Sequence, residues 1–169
     1  LKEENKIEKE VVTGITSSEN EAKITLKGIP DKPGIAAEIF GILAGNNINV
    51  DMIIQNISEA GLADVTFSCP TAQVNAARKS LEKGKADKAF NYAKLVEDKQ
   101  VAKISIVGIG MRSHSGVAQT MFKTLGEENI NIKVISTSEI KISVLVDGKY
   151  IELAVQALHE AFELGRALT

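Results

Sequence analysis

The chain has 169 residues, 44% of them apolar and 25% charged, which is the make-up of a globular protein with room for one medium domain or two of about 80 residues each. A formal charge of −2 gives no reason to bind nucleic acid or an acidic membrane surface, and no apolar run approaches the roughly 18 residues that span a bilayer. There is no tryptophan, so the core has to come from Ile, Val, Leu and Ala; one cysteine, Cys69, has no internal disulfide partner, which matches a reducing cytoplasm.

Residues 1–9 are charged, lack the apolar core of a signal peptide and read as a linker or tail. The chain starts with Leu1 rather than methionine, which points to an excised piece of something longer. Val11 to Ile15 is strand-like, and Ala22 to Lys27 alternates Ile24 and Leu26 with polar residues, as a half-buried strand does. Pro33-Gly34 then opens a helix with Ile35, Ile39, Phe40 and Leu43 on one stripe. Asp31 is placed either to cap that helix or to touch a ligand. Gly45-Asn46-Asn47 supplies the stop. Ile48 to Ile57 and Leu62 to Cys69 read as strands, Thr71 to Lys83 as a helix burying Val74, Ala77 and Leu81, and Phe90 to Glu97 as a fourth strand. The order is βαββαβ.

The same order starts again. A shift of 82 residues lays Gly34-Ile35-Ala36 on Gly116-Val117-Ala118, Leu43 on Leu125, and Asn47-Ile48-Asn49-Val50 on Asn129-Ile130-Asn131-Ile132. The loop before the third strand is five residues longer in the first copy, after which Val65-Thr66-Phe67 meets Ile142-Ser143-Val144 and Leu81 meets Leu158. The second copy runs through strand Lys103 to Val107, helix Gly116 to Glu127, strands Ile130 to Thr137 and Ile140 to Val146, and helix Ile151 to Leu164, and stops one strand short. An open sheet edge is a liability, and residues 10–17 supply the missing strand. The expected fold is therefore α+β, two ferredoxin-like βαββαβ domains with the first (residues 18–99) inserted in the second (residues 10–17 plus 100–169).

This topology serves many functions, so the loops have to narrow it. They read Gly28-Ile29-Pro30-Asp31-Lys32-Pro33-Gly34 and Asn49-Val50-Asp51-Met52-Ile53-Ile54-Gln55-Asn56 in the first copy. The second has Gly110-Met111-Arg112-Ser113-His114-Ser115-Gly116-Val117, and Val134-Ile135-Ser136-Thr137-Ser138-Glu139-Ile140-Lys141-Ile142-Ser143-Val144. Together they resemble the tandem ACT domains of aspartate kinases, from about Glu10 to the end. The resemblance implies a feedback-sensing region, one ACT domain inserted in the other, with no catalytic site and no cofactor of its own. ATP and magnesium would serve a kinase domain or subunit elsewhere, and the effector would be lysine and/or threonine, bound by a homodimer formed through the ACT domains.

A free amino acid presents a carboxylate, which suits the unpaired N–H groups of a helix N-terminus, here at Gly34, Ile35 and Ala36 and again at Gly116, Val117 and Ala118. A backbone carbonyl near Asn49–Val50, or near Asn131–Ile132, is expected to take the ammonium. His114 lies in the second ligand loop. Lysine-only members of the family, as the resemblance implies, hold an Asp and a Ser-Glu pair in one domain; here Asp51 is in one copy and Ser138-Glu139 in the other. If the first copy packs on the second copy of a partner chain, Asp51 and Glu139 converge on a site for a lysine ammonium. The other site, with Lys133, Gln55 and Asn56, then suits threonine.

Plainer roles compete at each position. Asp51 can form a structural ion pair, Glu139 can be a solvated turn residue, and Gln55 and Asn56 can be edge-strand residues. Ser58 and Thr66 are expected to face solvent, and His159 and Cys69 to pack. Gly108-Ile109-Gly110 follows a strand, but Ser113 stands where a dinucleotide fingerprint needs glycine or alanine. An RNA-recognition module shares the strand order but needs aromatics on its central strands. An ACT pair from another amino-acid enzyme is opposed by the insertion and by the Ile135 to Ile140 run. The remaining alternative is an ACT-type assembly module that dimerises a partner without an effector.

Overall fold

The structure is a computed structural model and describes residues 12–58, 60–109 and 115–163. In chain order it holds β1 (Val12–Pro30), α1 (Ile35–Gly45), β2 (Ile53–Ile57), β3 (Leu62–Pro70), α2 (Val74–Ala86), β4 (Lys94–Gly108), α3 (Ser115–Glu127), β5 (Val134–Thr137), β6 (Lys141–Asp147) and α4 (Ile151–Ala161). Short 3-10 turns at Thr71–Gln73 and Gly148–Tyr150 lead into α2 and α4. No helix among the described residues is long and apolar enough to cross a membrane.

The chain divides into two compact units: residues 20–99, and a discontinuous unit drawn from residues before 20 and after 99. β1 and β4 each give one half to each unit. The 20–99 unit has strand order β2-β3-β1-β4, and the discontinuous unit β5-β6-β4-β1. Both are the ferredoxin-like order, with the short strands β2 and β5 at an edge. β3 runs antiparallel to β1, Phe67 opposite Ile24, and to β2, Val65 opposite Gln55. β6 runs antiparallel to β4, Val144 opposite Ile104, and to β5, Ile142 opposite Thr137.

Each unit closes one core between its sheet and its helices. In the 20–99 unit Ile24, Leu26, Val65 and Phe67 meet Ile39, Leu43, Ala77 and Leu81. In the discontinuous unit Ile104, Ile106, Ile142 and Val144 meet Met121, Leu125, Ala154 and Leu158. Phe40 sets its ring edge against Phe67 at 5.9 Å, an arrangement the aromatic quadrupole favours. The repeat-related pairs Ile39 and Met121, Leu43 and Leu125, and Leu81 and Leu158 are all fully buried, so the helical spacing in the sequence marks real core positions.

Several boundaries differ from the sequence reading. Short strands were expected around residues 10–17 and 22–27, and around 90–97 and 103–107; the structure joins them into β1 and β4. The polar stretches Ser17 to Glu21 and Glu97 to Gln100 interrupt the apolar alternation without any proline or glycine to break the chain. Phe90 and Tyr92 are buried but precede β4, because Ala89 N–H donates to the Gly84 carbonyl and Ala93 N–H to Lys27. Residues 48–52 and 130–133 are irregular rather than strand, and α4 ends at Ala161.

Candidate functional site

The loop between β1 and α1 is shaped by a bulge. The β1–β3 register shifts between Leu26 and Ile29, and Gly28 sits in the left-handed region with φ 71°. A side chain there would meet the Ala93 Cβ at 2.8 Å, so glycine is required both by conformation and by space. The Gly28 N–H donates to the Asp64 carboxylate at 3.0 Å, and the Asp31 N–H to the Gly61 carbonyl at 3.0 Å. These contacts hold the segment from Ile29 to Gly34 beside the start of α1.

α1 begins behind Gly34, which adopts φ 93°, and no side chain caps it. Asp31 therefore does not cap the helix, because the loop takes three more residues to reach it and the N-cap falls on a residue without a side chain. The first N–H groups of a helix have no intrahelical partner and sit at the positive end of its dipole; here the Ile35 N–H donates to the Lys32 carbonyl at 3.4 Å, which leaves the next ones for a ligand. They border a cavity of about 240 Å³, lined among others by Asp31, Lys32, Gly34, Ile35, Ala36 and Gln55. Its floor is apolar, from Ile29, Ile39, Ala63 and Val65. Asp31, Gly34, Ala36 and Gln55 are exposed and Ile35 is half-buried, so the cavity opens to solvent.

Five of the residues singled out in the sequence thus share one cavity. Others lie elsewhere. Asn49, Val50 and Asp51 lie toward the far end of the 20–99 unit. Asn49 N–H donates to the Gln73 side-chain oxygen at 2.7 Å, and Asp51 N–H to the Ser68 carbonyl at 3.0 Å. Asp51 lies four residues before Gln55 and beside Ser68 rather than Val65, at most roughly 14 Å from Gln55 for an extended chain. Asn56 is exposed on β2, paired in register with Asp64.

In the discontinuous unit Gly116, Val117 and Ala118 lie in the first turn of α3, with Val117 fully buried in the core. His114 and the loop 110–114 lie outside the described residues. Asn131 is exposed and Ile132 packs against the core. Ser138 shapes the β5–β6 turn: its N–H donates to the Lys141 carbonyl at 2.8 Å, and its hydroxyl oxygen accepts from the Ile140 N–H at 3.4 Å. Glu139 follows it in the turn and is exposed.

The sequence reading overlooked Lys32, which puts a cation beside Asp31 at the cavity, and the floor residues Ala63 and Val65. Lys32 was legible as the neighbour of Asp31 in the Asp-Lys-Pro-Gly loop. The floor residues were not, because they come from a strand about 30 residues away and meet the loop only through the β1–β3 pairing.

Two family models match the chain, both described as ACT domain, over residues 24–83 and 104–162. An aspartate kinase of Pseudomonas fluorescens (strain SBW25) is 48% identical over 164 residues, 97% of this chain and 39% of the relative. The chain thus spans about two fifths of the length of such curated relatives. A solved structure of aspartokinase alpha and beta subunits is 49% identical, with TM-score 0.82, over 90% of this chain and 99% of the matched one. The regulatory subunit of aspartate kinase from Thermus flavus is 37% identical, with TM-score 0.81, over the same shares.

Proposed function

The chain belongs to the aspartate kinase family, as its ACT-domain regulatory part, and from that premise we propose that it is a feedback sensor that binds free lysine and/or threonine to restrain phosphorylation of aspartate by the kinase part. The observation that carries this reading is the uncapped start of α1 opening on the 240 Å³ cavity. That volume lies below the roughly 300–1,000 Å³ of pockets for drug-sized ligands and suits a small metabolite. The polar groups match a zwitterion. The helix N-terminus and Lys32 would attract a carboxylate, Asp31 an ammonium, and Gln55 would hydrogen-bond a side chain.

Nothing lining this cavity besides Asp31 carries negative charge, which leaves no second carboxylate for a lysine side-chain ammonium, while its apolar floor can take a threonine methyl. The cavity therefore suits threonine. A lysine site built on Asp51 and Glu139 would be a separate place, formed with a partner chain, and both sites occupied would give concerted control. The kinase part would use ATP and magnesium, and the assembly would be cytoplasmic.

Thermal unfolding with lysine, threonine, both, and serine as control tests the reading. A ligand at about 100 times its Kd stabilises by about 2.7 kcal/mol. A shift with threonine or lysine but not serine is expected; no shift at millimolar concentrations overturns the sensor. The exposed Ile53 and Ile57 on β2, and Ile135 on β5, favour a second reading, in which these edges pair with another copy and dimerise the kinase without an effector. It predicts a dimer whose stability ignores all four conditions.

A further inference from the structure

The 20–99 unit has a second and larger concavity, about 480 Å³, on the outer side of α1 and α2. Its floor is Ile42 and Gly84, and its rim carries Ala76, Lys79, Lys83 and Asn46, with Asp87 at one end. Gly84 lets α2 pack closely on the Phe90 ring and Ile42, since a Cβ there would lie 2.5 Å from the ring and 2.9 Å from Ile42. The described ion pairs on this unit join Arg78 to Glu82 and Glu97, and Lys99 to Glu97. Lys79 and Lys83, one turn apart on α2, take part in none among the described residues.

The other repeat carries different residues at the matching positions. Leu81 and Leu158 are the matching buried positions, which lays Ala76, Lys79, Lys83 and Gly84 on Leu153, Gln156, Glu160 and Ala161. There the exposed alanine is replaced by an exposed leucine and the two lysines by glutamine and glutamate. Two like charges at (i, i+4) repel each other. A basic rim over an apolar floor, its lysines unmatched at the corresponding described positions of the other repeat, is complementary to an acidic segment that carries an apolar side chain.

The groove and the effector cavity share a helix. Ile35, Ala36 and Ile39 line the cavity, while Ile42 and Asn46 line the groove. Ile35 and Ile42 are about 10 Å apart along the axis at 1.5 Å per residue. A ligand that shifts the start of α1 shifts the groove wall with it.

We propose that this groove is the output surface of the sensor: it docks an acidic segment of the kinase part, and α1 carries the effector's signal to that contact. The proposal rests on the feedback-sensor reading above. A sensor has to touch what it controls, and about three fifths of the relatives' length lies outside the part this chain matches.

The test uses the aspartate kinase that contains this chain, on one polypeptide or two. Zero-length carbodiimide coupling is expected to join Lys79 or Lys83 to an Asp or Glu of the kinase part. Lys79→Gln with Lys83→Glu copies the other repeat's residues into an exposed helix face, so folding is preserved and circular dichroism checks it. This double variant is expected to raise the effector concentration for half-inhibition about tenfold, within the usual 5- to 150-fold range of coupling. Its Kd for threonine or lysine, measured on this chain alone, stays within twofold. An unchanged half-inhibition overturns the proposal, as do cross-links that run instead to Glu152 or Glu160 of a second copy. Absence of effector binding by the unaltered chain defeats the sensor reading instead, and the cross-links still report whether the groove is occupied.

Discussion

Asn47 and Asn129, 82 residues apart, hold the same left-handed backbone, φ 59° and 58°, and each is followed by an isoleucine whose N–H returns to a helix leucine, Leu43 or Leu125, at 3.0 and 2.9 Å. The two copies thus leave their first helix by one mechanism. Asparagine tolerates that conformation, whereas a β-branched residue does not. Asn129→Val is expected to lower stability by about 1–2 kcal/mol, and Asn129→Gly to change it by less than about 0.5, in urea unfolding. Equal effects of the two would show that the side chain, not the backbone, matters there.

Ser105 and Ser143 face each other across β4 and β6, with their hydroxyls 2.7 Å apart and almost no exposure. One hydroxyl donates to the other. Ser105→Ala leaves the Ser143 hydroxyl without that partner and is expected to cost about 1–3 kcal/mol. Replacing both by alanine removes the orphan along with the bond, so the double variant should be more stable than either single one. Additive losses in the double-mutant cycle would refute this pairing as the source of the effect.

What the sequence made legible was what repeats locally. Helix stripes such as Ile39 and Leu43 and strand alternation such as Ile24 and Leu26 put their residues in the core as read. The Asp-Lys-Pro-Gly loop also signalled the cavity beside α1. Two things were hidden. The continuity of β1 and β4 was, because alternation lapses where a strand passes from one core to another. The separation of Gly34 from Asn49 and Val50 was, because the helix start and the Asn49–Val50 carbonyl read as the two ends of one amino-acid site. Asn49 and Asp51 are tied instead to Gln73 and Ser68, far from Gly34.

Cys69 is fully buried beneath α1 and α2, and burial, aided by the negative charge of Glu21, pushes its thiol up to about 11 from an ordinary value of 9.0. The native state favours the neutral thiol, so its contribution is complete below pH 9 and is lost as pH rises toward 11. Other groups titrate there too, and comparison with Cys69→Ala cancels them. The stability gap between the two proteins is expected to narrow by about 1–2 kcal/mol between pH 8 and 10.5, since each tenfold difference in proton affinity between folded and unfolded chains is worth about 1.4 kcal/mol. A gap independent of pH would mean that the thiol titrates normally.

Gln55 and Asp51 separate the two effector hypotheses. Gln55 lines the cavity at the start of α1, so Gln55→Ala is expected to weaken threonine binding by this chain about tenfold, the loss of one to one and a half kcal/mol from a neutral hydrogen bond. Asp51 lies beside Ser68, three residues further along β3 than the Val65 that faces Gln55. Asp51→Ala should leave threonine binding alone and remove lysine binding, if lysine uses a site completed by Glu139 of a second copy. Titrating each variant with each amino acid by calorimetry decides the matter. If Asp51→Ala weakens threonine as much as Gln55→Ala does, one composite site takes the place of two, and concerted control through separate sites is wrong.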